Sequence, residues 1–398
     1  MADLRERPPH HPDRRRLPRF LAASPMGLNR LTGSVPMAPR KAKNSIHTGL
    51  ATAIPRALTV AVEVLDGFGW GLIGASTIAR EYMVDAIRRS GGRPLSVMSH
   101  DGARAAAFAR DLDIADSCSD LDTLLDDRRI GAVYISSTNT QHRYQVLAAA
   151  AAGKHVLCDK PLATRSADAL KMVRACEKAG VVLAVNHHLR SSPVHQTMQR
   201  MIAAGEIGAV RSLMIVHAGY LRPVLQSWRI KDAAEGGIYL DLSVHDIDLA
   251  SFLLEQTPVT AVALGAGVAL SSNTVHDHAM YALKMSGGTF VQVHESFVTP
   301  DVESQVVALG SEGALIAAGT LAQRSTGTLT RRVNGRNESI PLRANDLYAD
   351  TVEQFLNAIA GTGSPRATGR DGLAALAGAE AVGKAAATGR AAAVKRHE

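Results

Sequence analysis

Residues 70–80 read Trp-Gly-Leu-Ile-Gly-Ala-Ser-Thr-Ile-Ala-Arg. A short apolar run, 70–73, enters a tight turn at Gly74. A helix is expected over 78–90, with Met83, Ala86 and Ile87 on one side. Strand, turn and helix in that order open a βαβ unit. In the dinucleotide fingerprint G-x-G-x-x-G, the three key positions here hold Gly74, Ser76 and Ala79. Only the first glycine is kept. The tight turn is preserved, and amides at the helix start can still meet a pyrophosphate. Ser76 adds a hydroxyl that could itself donate to phosphate.

The alternation continues downstream. Strands are expected at 95–99, 131–137, 155–158 and 181–185, and helices at 103–111, 141–152 and 167–179. Short turns between such segments imply an α/β fold with a doubly wound parallel sheet, a Rossmann domain over 67–187. In such sheets ligands sit at the carboxyl ends of the strands. The second strand ends at Ser99 with Arg104 soon after, where NAD-binding sheets usually carry an acid for the ribose 2′-hydroxyl. A hydroxyl and a guanidinium suit a 2′-phosphate, so the expected cofactor is NADP (NADPH), with nearby Asp101 a complication. The polar stretch Ser136 to His142, with Ser137, Thr138 and Asn139, suits the cofactor's ribose and pyrophosphate or serves as plain helix caps. Lys160 leaves a buried strand beside Pro161, a placement that favours a partner such as a substrate oxygen or the nicotinamide ribose.

After residue 187 the period changes. Stretches at 212–217, 261–264, 279–284, 290–297 and 303–309 alternate as an open, mainly antiparallel sheet would, giving a C-terminal α+β domain over 188–398. Between them lies an apolar helix start in which Asp241, His245 and Asp248 fall at i, i+4 and i+7, on one face. A polar stripe on so apolar a helix lines a pocket or is internally bonded. Asp241 beside His245 would orient the ring and favour imidazolium, preparing a proton donor. His187-His188 and His276-Asp277-His278 lack a full ligand set at metal spacing, so no metal is expected.

The chain has 398 residues and a net charge of +7, of which residues 1–66 carry +6 (11 Lys/Arg against 5 Asp/Glu). The remaining +1 gives nucleic acid little to hold. That Pro- and Arg-rich stretch is expected to be a disordered extension, with only 58–65 strand-like. No apolar run approaches the roughly 18 residues that span a bilayer. Three widely spaced cysteines without a C-x-x-C argue against a disulfide framework, so a cytoplasmic protein is expected.

Residues 71–75 (Gly-Leu-Ile-Gly-Ala), 153–163 (GKHVLCDKPLA) and the pattern GG-x-x-x-D-x-x-x-H at 236–245 together resemble the glucose–fructose oxidoreductase / inositol dehydrogenase family (Gfo/Idh/MocA). Further motifs resemble its NADPH-dependent reductases of sugar carbonyls: GLIGASTIARE, Met98-Ser99 with Arg104, NHHLR at 186–190, Gln226-x-Trp228-Arg229 and Asn345-x-Leu347-Tyr348. The resemblance implies cofactor contacts at Ala75, Ser76, Thr77, Ile78, Ser99, Arg104, Ser137 to His142, Asp159, Lys160, Asn186, Trp228, Arg229 and Tyr348. It implies catalysis at Lys160, Asp241 and His245, without metal, and an open sheet that often mediates oligomerisation. Asp159 stands where the family often has a longer Glu. The implied reaction is hydride transfer from NADPH to a sugar carbonyl, with His245 as proton donor, Lys160 polarising the carbonyl and Asp241 orienting the histidine. An NAD-dependent inositol or polyol dehydrogenase would use the same residues. A non-catalytic sugar sensor could share the fold, but retention of the three catalytic positions argues against it.

Overall fold

The computed structural model describes residues 68–271 and 274–397. The extension to residue 66, with its strand-like stretch 58–65, lies outside the described residues. Strands β1 (Gly69–Ile73), β2 (Arg93–Met98), β3 (Asp116–Cys118), β4 (Ile130–Ile135), β5 (His155–Cys158) and β6 (Leu183–Val185) form one sheet. Its order is β3-β2-β1-β4-β5-β6 and every pair is parallel. All five residues of β1 are buried, as expected of a strand covered on both faces. The order reverses between β1 and β4, so the loops after them diverge and leave a crevice. Two elements were not anticipated: β3 and the short helix Leu121–Leu125 after it. The exposed Asp-Ser-Cys edge strand has no apolar signature to read.

The helix after β1 is not continuous. A π-turn over Ala79–Met83 precedes α1 (Val84–Arg89). The other helices of this layer are α2 (Gly102–Asp111), α3 (Leu121–Leu125), α4 (Asn139–Ala151) and α5 (Ser166–Ala179).

After α6 (Pro193–Ala203), β7 (Val210–Ala218) enters a second sheet of nine strands. The others are β8 (Pro258–Ala266), β9 (His278–Met285), β10 (Phe290–Ser296), β11 (Gln305–Gly310), β12 (Gly313–Ala318), β13 (Thr328–Val333), β14 (Arg336–Ser339) and β15 (Ala392–Ala393). Every pairing is antiparallel except β7 with β10. Leu213, Ile215, Leu283, Val291, Val293 and Leu315 point to the buried face, where α7 (Val244–Leu254) and α9 (Gly369–Thr388) share one core with them. The helix α8 (Leu347–Ile359) returns instead to the first sheet. Tyr348, Val352 and Phe355 join Trp70, Leu72 and Ile87, with the Phe355 ring 5.4 Å from that of Trp70. Among the described residues no helix is long and apolar enough to cross a membrane.

Candidate active site

The crevice at the strand ends opens into a cavity of about 680 Å3, walled on one side by the first sheet and on the other by β7, α7 and the 221–229 loops. Gly74, Ala75, Ser76, Thr77 and Ile78 line one end. Gly74 has φ +111°, and a Cβ there would stand 2.8 Å from the Ser137 amide nitrogen, so only glycine lets the turn close onto the end of β4. Ser76 is already engaged. Its hydroxyl lies 2.7 Å from that of Ser136 and accepts from the Ala79 amide at 3.1 Å, stitching the first turn to the fourth strand.

At the end of β2, Ser99 and Arg104 both line the cavity. Asp101, the complication at this position, turns back to cap its own helix by accepting from the Arg104 amide at 3.0 Å. The Arg104 guanidinium donates to the Ala75 carbonyl at 2.8 and 3.2 Å, which holds it beside the glycine turn. After β4, Ser137, Thr138, Asn139 and His142 also line the cavity, but several have structural partners. Ser137 donates to Gln145 at 2.6 Å, and Asn139 donates to the Glu235 carbonyl at 2.8 Å. His142 is buried between the carbonyls of Pro161 and Ser137, and burial lowers its pKa.

Lys160 follows β5 and projects across the cavity. Its Nζ donates to the Asp241 carbonyl at 2.7 Å and to Asp241 Oδ1 at 2.6 Å. The other carboxylate oxygen of Asp241 lies 3.5 Å from Arg229 Nε, and Arg229 in turn sits 4.6 Å from the Trp228 ring centre. Burial pushes the Asp241 carboxyl up, but the charges of Lys160 and Arg229 outweigh it and hold the group below its usual range. Two glycines make this junction possible. A Cβ on Gly236 would stand 2.5 Å from the Arg229 carbonyl, and the Gly237 amide donates to that same carbonyl at 2.7 Å. The glycine pair of the 236–245 motif thereby packs the Trp228-Arg229 loop against the helix start.

The helix itself corrects the expected stripe. A π-turn over Tyr239–Ser243 precedes α7. The π-turn departs from regular α spacing, yet Asp241 and His245 both line the cavity. Asp241 goes to Lys160, not to His245. The Nδ1 of His245 is buried without a hydrogen-bond partner. The ring stands edge-on to His187 and His188, with centroids 5.9 and 5.2 Å away. Burial, then the charge of Lys160, pull its pKa well below the ordinary value, which opposes the imidazolium form expected beside a carboxylate. Asp248 leaves the cavity altogether and forms a buried bidentate pair with Arg190, at 2.7 and 2.8 Å.

Asn186 and Tyr348, both read as cofactor contacts, do not line the cavity. Asn186 donates to Asp159 Oδ1 at 3.1 Å, bracing a residue that does line it. Tyr348 is stacked between Tyr82 and His188, at centroid distances of 4.9 and 5.3 Å, and donates to Gln323. Both residues support the wall from behind. Burial pushes the Asp159 carboxyl up, and Lys160 only partly offsets that.

His217 and Gln323 line the cavity and were not foreseen. His217 Nδ1 lies 2.8 Å from Oδ1 of the fully buried Asp246. No local pattern marks this pair, because one member sits near the end of a strand and the other is 29 residues away on a helix. Among the described residues no group of three or more His, Cys, Asp or Glu is arranged to hold a metal.

Residues 68–187 match the family described as an oxidoreductase family with an NAD-binding Rossmann fold, and residues 195–316 match the GFO/IDH/MocA C-terminal domain. The chain is 44% identical over 310 residues to 1,5-anhydro-D-fructose reductase of Ensifer adhaerens, covering 77% of this chain and 93% of that protein. It is 34% identical over 327 residues to inositol 2-dehydrogenase 2 of Saccharopolyspora erythraea, covering 79% and 90%. Levoglucosan dehydrogenase in complex with NADH shares the fold, with a TM-score of 0.74 at 20% identity over 83% of this chain and all of that one. With both sheets matched in sequence and in architecture, the chain belongs to the Gfo/Idh/MocA family of oxidoreductases.

Proposed function

We propose that this protein reduces a sugar ketone with NADPH, and that its substrate is 1,5-anhydro-D-fructose, reduced to 1,5-anhydro-D-mannitol. The observation that carries the reaction class is the contact of Lys160 with Asp241 inside a cavity that also holds a neutral His245. The identity to the Ensifer adhaerens reductase supports the substrate. The end of β2 supports the cofactor: Ser99 and Arg104 offer a hydroxyl and a cation to a 2′-phosphate, while the one nearby carboxylate, Asp101, is spent on a helix cap. Gly74, Ala75 and Ser76 would hold the pyrophosphate, at a turn that a side chain could not enter.

When bound, the cofactor supplies the hydride. The protein supplies the proton and the orientation. Lys160 has three N–H groups, and two are directed at Asp241. The third is free for the carbonyl oxygen, which it polarises as a cationic donor and protonates as the alkoxide forms. His245, neutral, donates or accepts a hydrogen bond at the same centre without carrying the proton, as a neutral imidazole can. Asp241 and Arg229 keep the ammonium in place. This moves the proton donor from His245 to Lys160. The test is oxidation of NADPH and of NADH by the purified protein against 1,5-anhydro-D-fructose and a panel of other keto-sugars and inososes. Turnover of an inosose with NADH in preference to the anhydro-ketose with NADPH would favour an inositol or polyol dehydrogenase instead.

A further inference from the structure

A histidine–carboxylate dyad does face this cavity, but on residues outside the family's motif. His217 lines the cavity with 17% of its side chain exposed, while its partner Asp246 is 0% exposed. Glu295 stands directly beside His217 in the parallel register of β10 with β7. The Glu295 carboxyl, also 0% exposed, accepts from Ser243 Oγ and from Tyr281 Oη, both at 2.6 Å. Burial, then the adjacent charge of Asp246, push the Glu295 carboxyl far up.

The contact with Asp246 occupies Nδ1, which leaves Nε2 as the ring nitrogen open to a ligand in the cavity. His217 lines the same cavity as Lys160, Asp241 and His245. A hydroxyl, which both donates and accepts, complements that nitrogen.

We propose that His217 is a substrate-contacting residue that determines specificity: with Nδ1 held by Asp246, its Nε2 shares a hydrogen bond with a substrate hydroxyl near the reacting carbonyl. The ligand's identity as a sugar rests on the reductase reading above; the dyad does not. The site would thus select polyhydroxylated carbonyl compounds over bare ones.

The test compares the wild type, His217→Phe and His217→Gln on 1,5-anhydro-D-fructose and on 2,3-butanedione, a dicarbonyl without hydroxyls. Lost contact to a hydroxyl should lower kcat/KM for the sugar roughly 10-fold in His217→Phe, mainly through KM, and leave butanedione unaffected. His217→Gln keeps an acceptor of similar size and should recover part of the loss. Calorimetric titration of 1,5-anhydro-D-mannitol onto the NADP-loaded protein reads the same contact without turnover, and should show a similarly weakened Kd. Equal losses on both carbonyls, or unchanged KM and Kd in folded variants, would overturn the proposal. Wild-type protein that binds the polyol but never turns over a sugar would overturn the reductase reading alone. Protein that does neither would overturn both.

Discussion

On the cofactor side of the cavity, the side chains come from loops directly after β1, β2 and β4, each within a few residues of the strand that carries it. On the opposite side they come from a helix and a strand whose partners are remote: Lys160 meets Asp241 across 81 positions and His217 meets Asp246 across 29. The first wall arises from topology, since any doubly wound sheet presents its strand ends at the switch point. The second depends on a π-turn, a glycine pair and one buried carboxylate that must all hold together. The two walls should therefore respond differently to substitution. Cofactor-side changes alter which nucleotide binds, and substrate-side changes alter turnover.

The sharpest contrast is expected at Lys160. Lys160→Met removes the group that carries the proton, and kcat on the sugar should fall toward the upper end of the roughly 10²–10⁴-fold range typical of a positioned acid. NADPH binding, measured by fluorescence titration, should persist. Asp248→Ala should separate stability from catalysis on the same helix. It leaves the buried Arg190 without its bidentate partner, although Asp371 remains 3.2 Å away. The expected loss is about 3 kcal/mol in denaturant unfolding, with kcat per folded molecule unchanged. A fall in kcat would return Asp248 to the catalytic stripe.

His245→Ala should reduce kcat by about 10²-fold, less than Lys160→Met, because a neutral imidazole orients and does not supply the proton. If His245→Ala proves as damaging as Lys160→Met, the histidine is the donor after all. Ser99→Asp addresses the other wall. A carboxylate at that strand end accepts from a ribose 2′-hydroxyl and repels a 2′-phosphate, so the NADPH/NADH ratio of kcat/KM should drop roughly 10- to 100-fold. An unchanged ratio would remove Ser99 from the cofactor site.

The smallest effect is a pH dependence of stability. Burial lowers His188 to about 3 and His195 to about 4, each from an ordinary value of 6.5. A lowered value means the unfolded chain takes up a proton that the folded one refuses. Stability from these groups is thus fully present above about pH 6.5 and is lost as pH falls toward 4. Each contributes a slope of at most about 1.4 kcal/mol per pH unit. Urea midpoints measured from about pH 7.5 to about 4.5 should decline through that window, and His195→Gln should flatten the decline. A midpoint independent of pH would show that these rings are solvated.

The parallel sheet was readable because apolar strands ending in glycine turns are local signals. The mainly antiparallel second sheet was readable from alternation, although β12 to β14 passed unread in a stretch whose strands are short and partly exposed. Gly74, Ser99 and Arg104 stood out for the same local reason. Asp241 and His245 were also found, but their relation was not. A regular period of about 3.6 residues reveals neither the π-turn nor the bond that Asp241 makes with Lys160, 81 positions away. The role of α8 was hidden as well: the need to cover Trp70 arises near residue 70 and is met near residue 355. His217 carries no signal in its own neighbourhood, since the carboxylate that gives it meaning lies on another element.

The most direct test of the central claim is the kcat/KM of the purified protein for 1,5-anhydro-D-fructose with NADPH and with NADH, together with identification of the product. Rapid NADPH oxidation, at least about 10-fold preferred over NADH, with equimolar 1,5-anhydro-D-mannitol formed, is the expected result. NADH preference, or no oxidation with any keto-sugar or inosose, would contradict it.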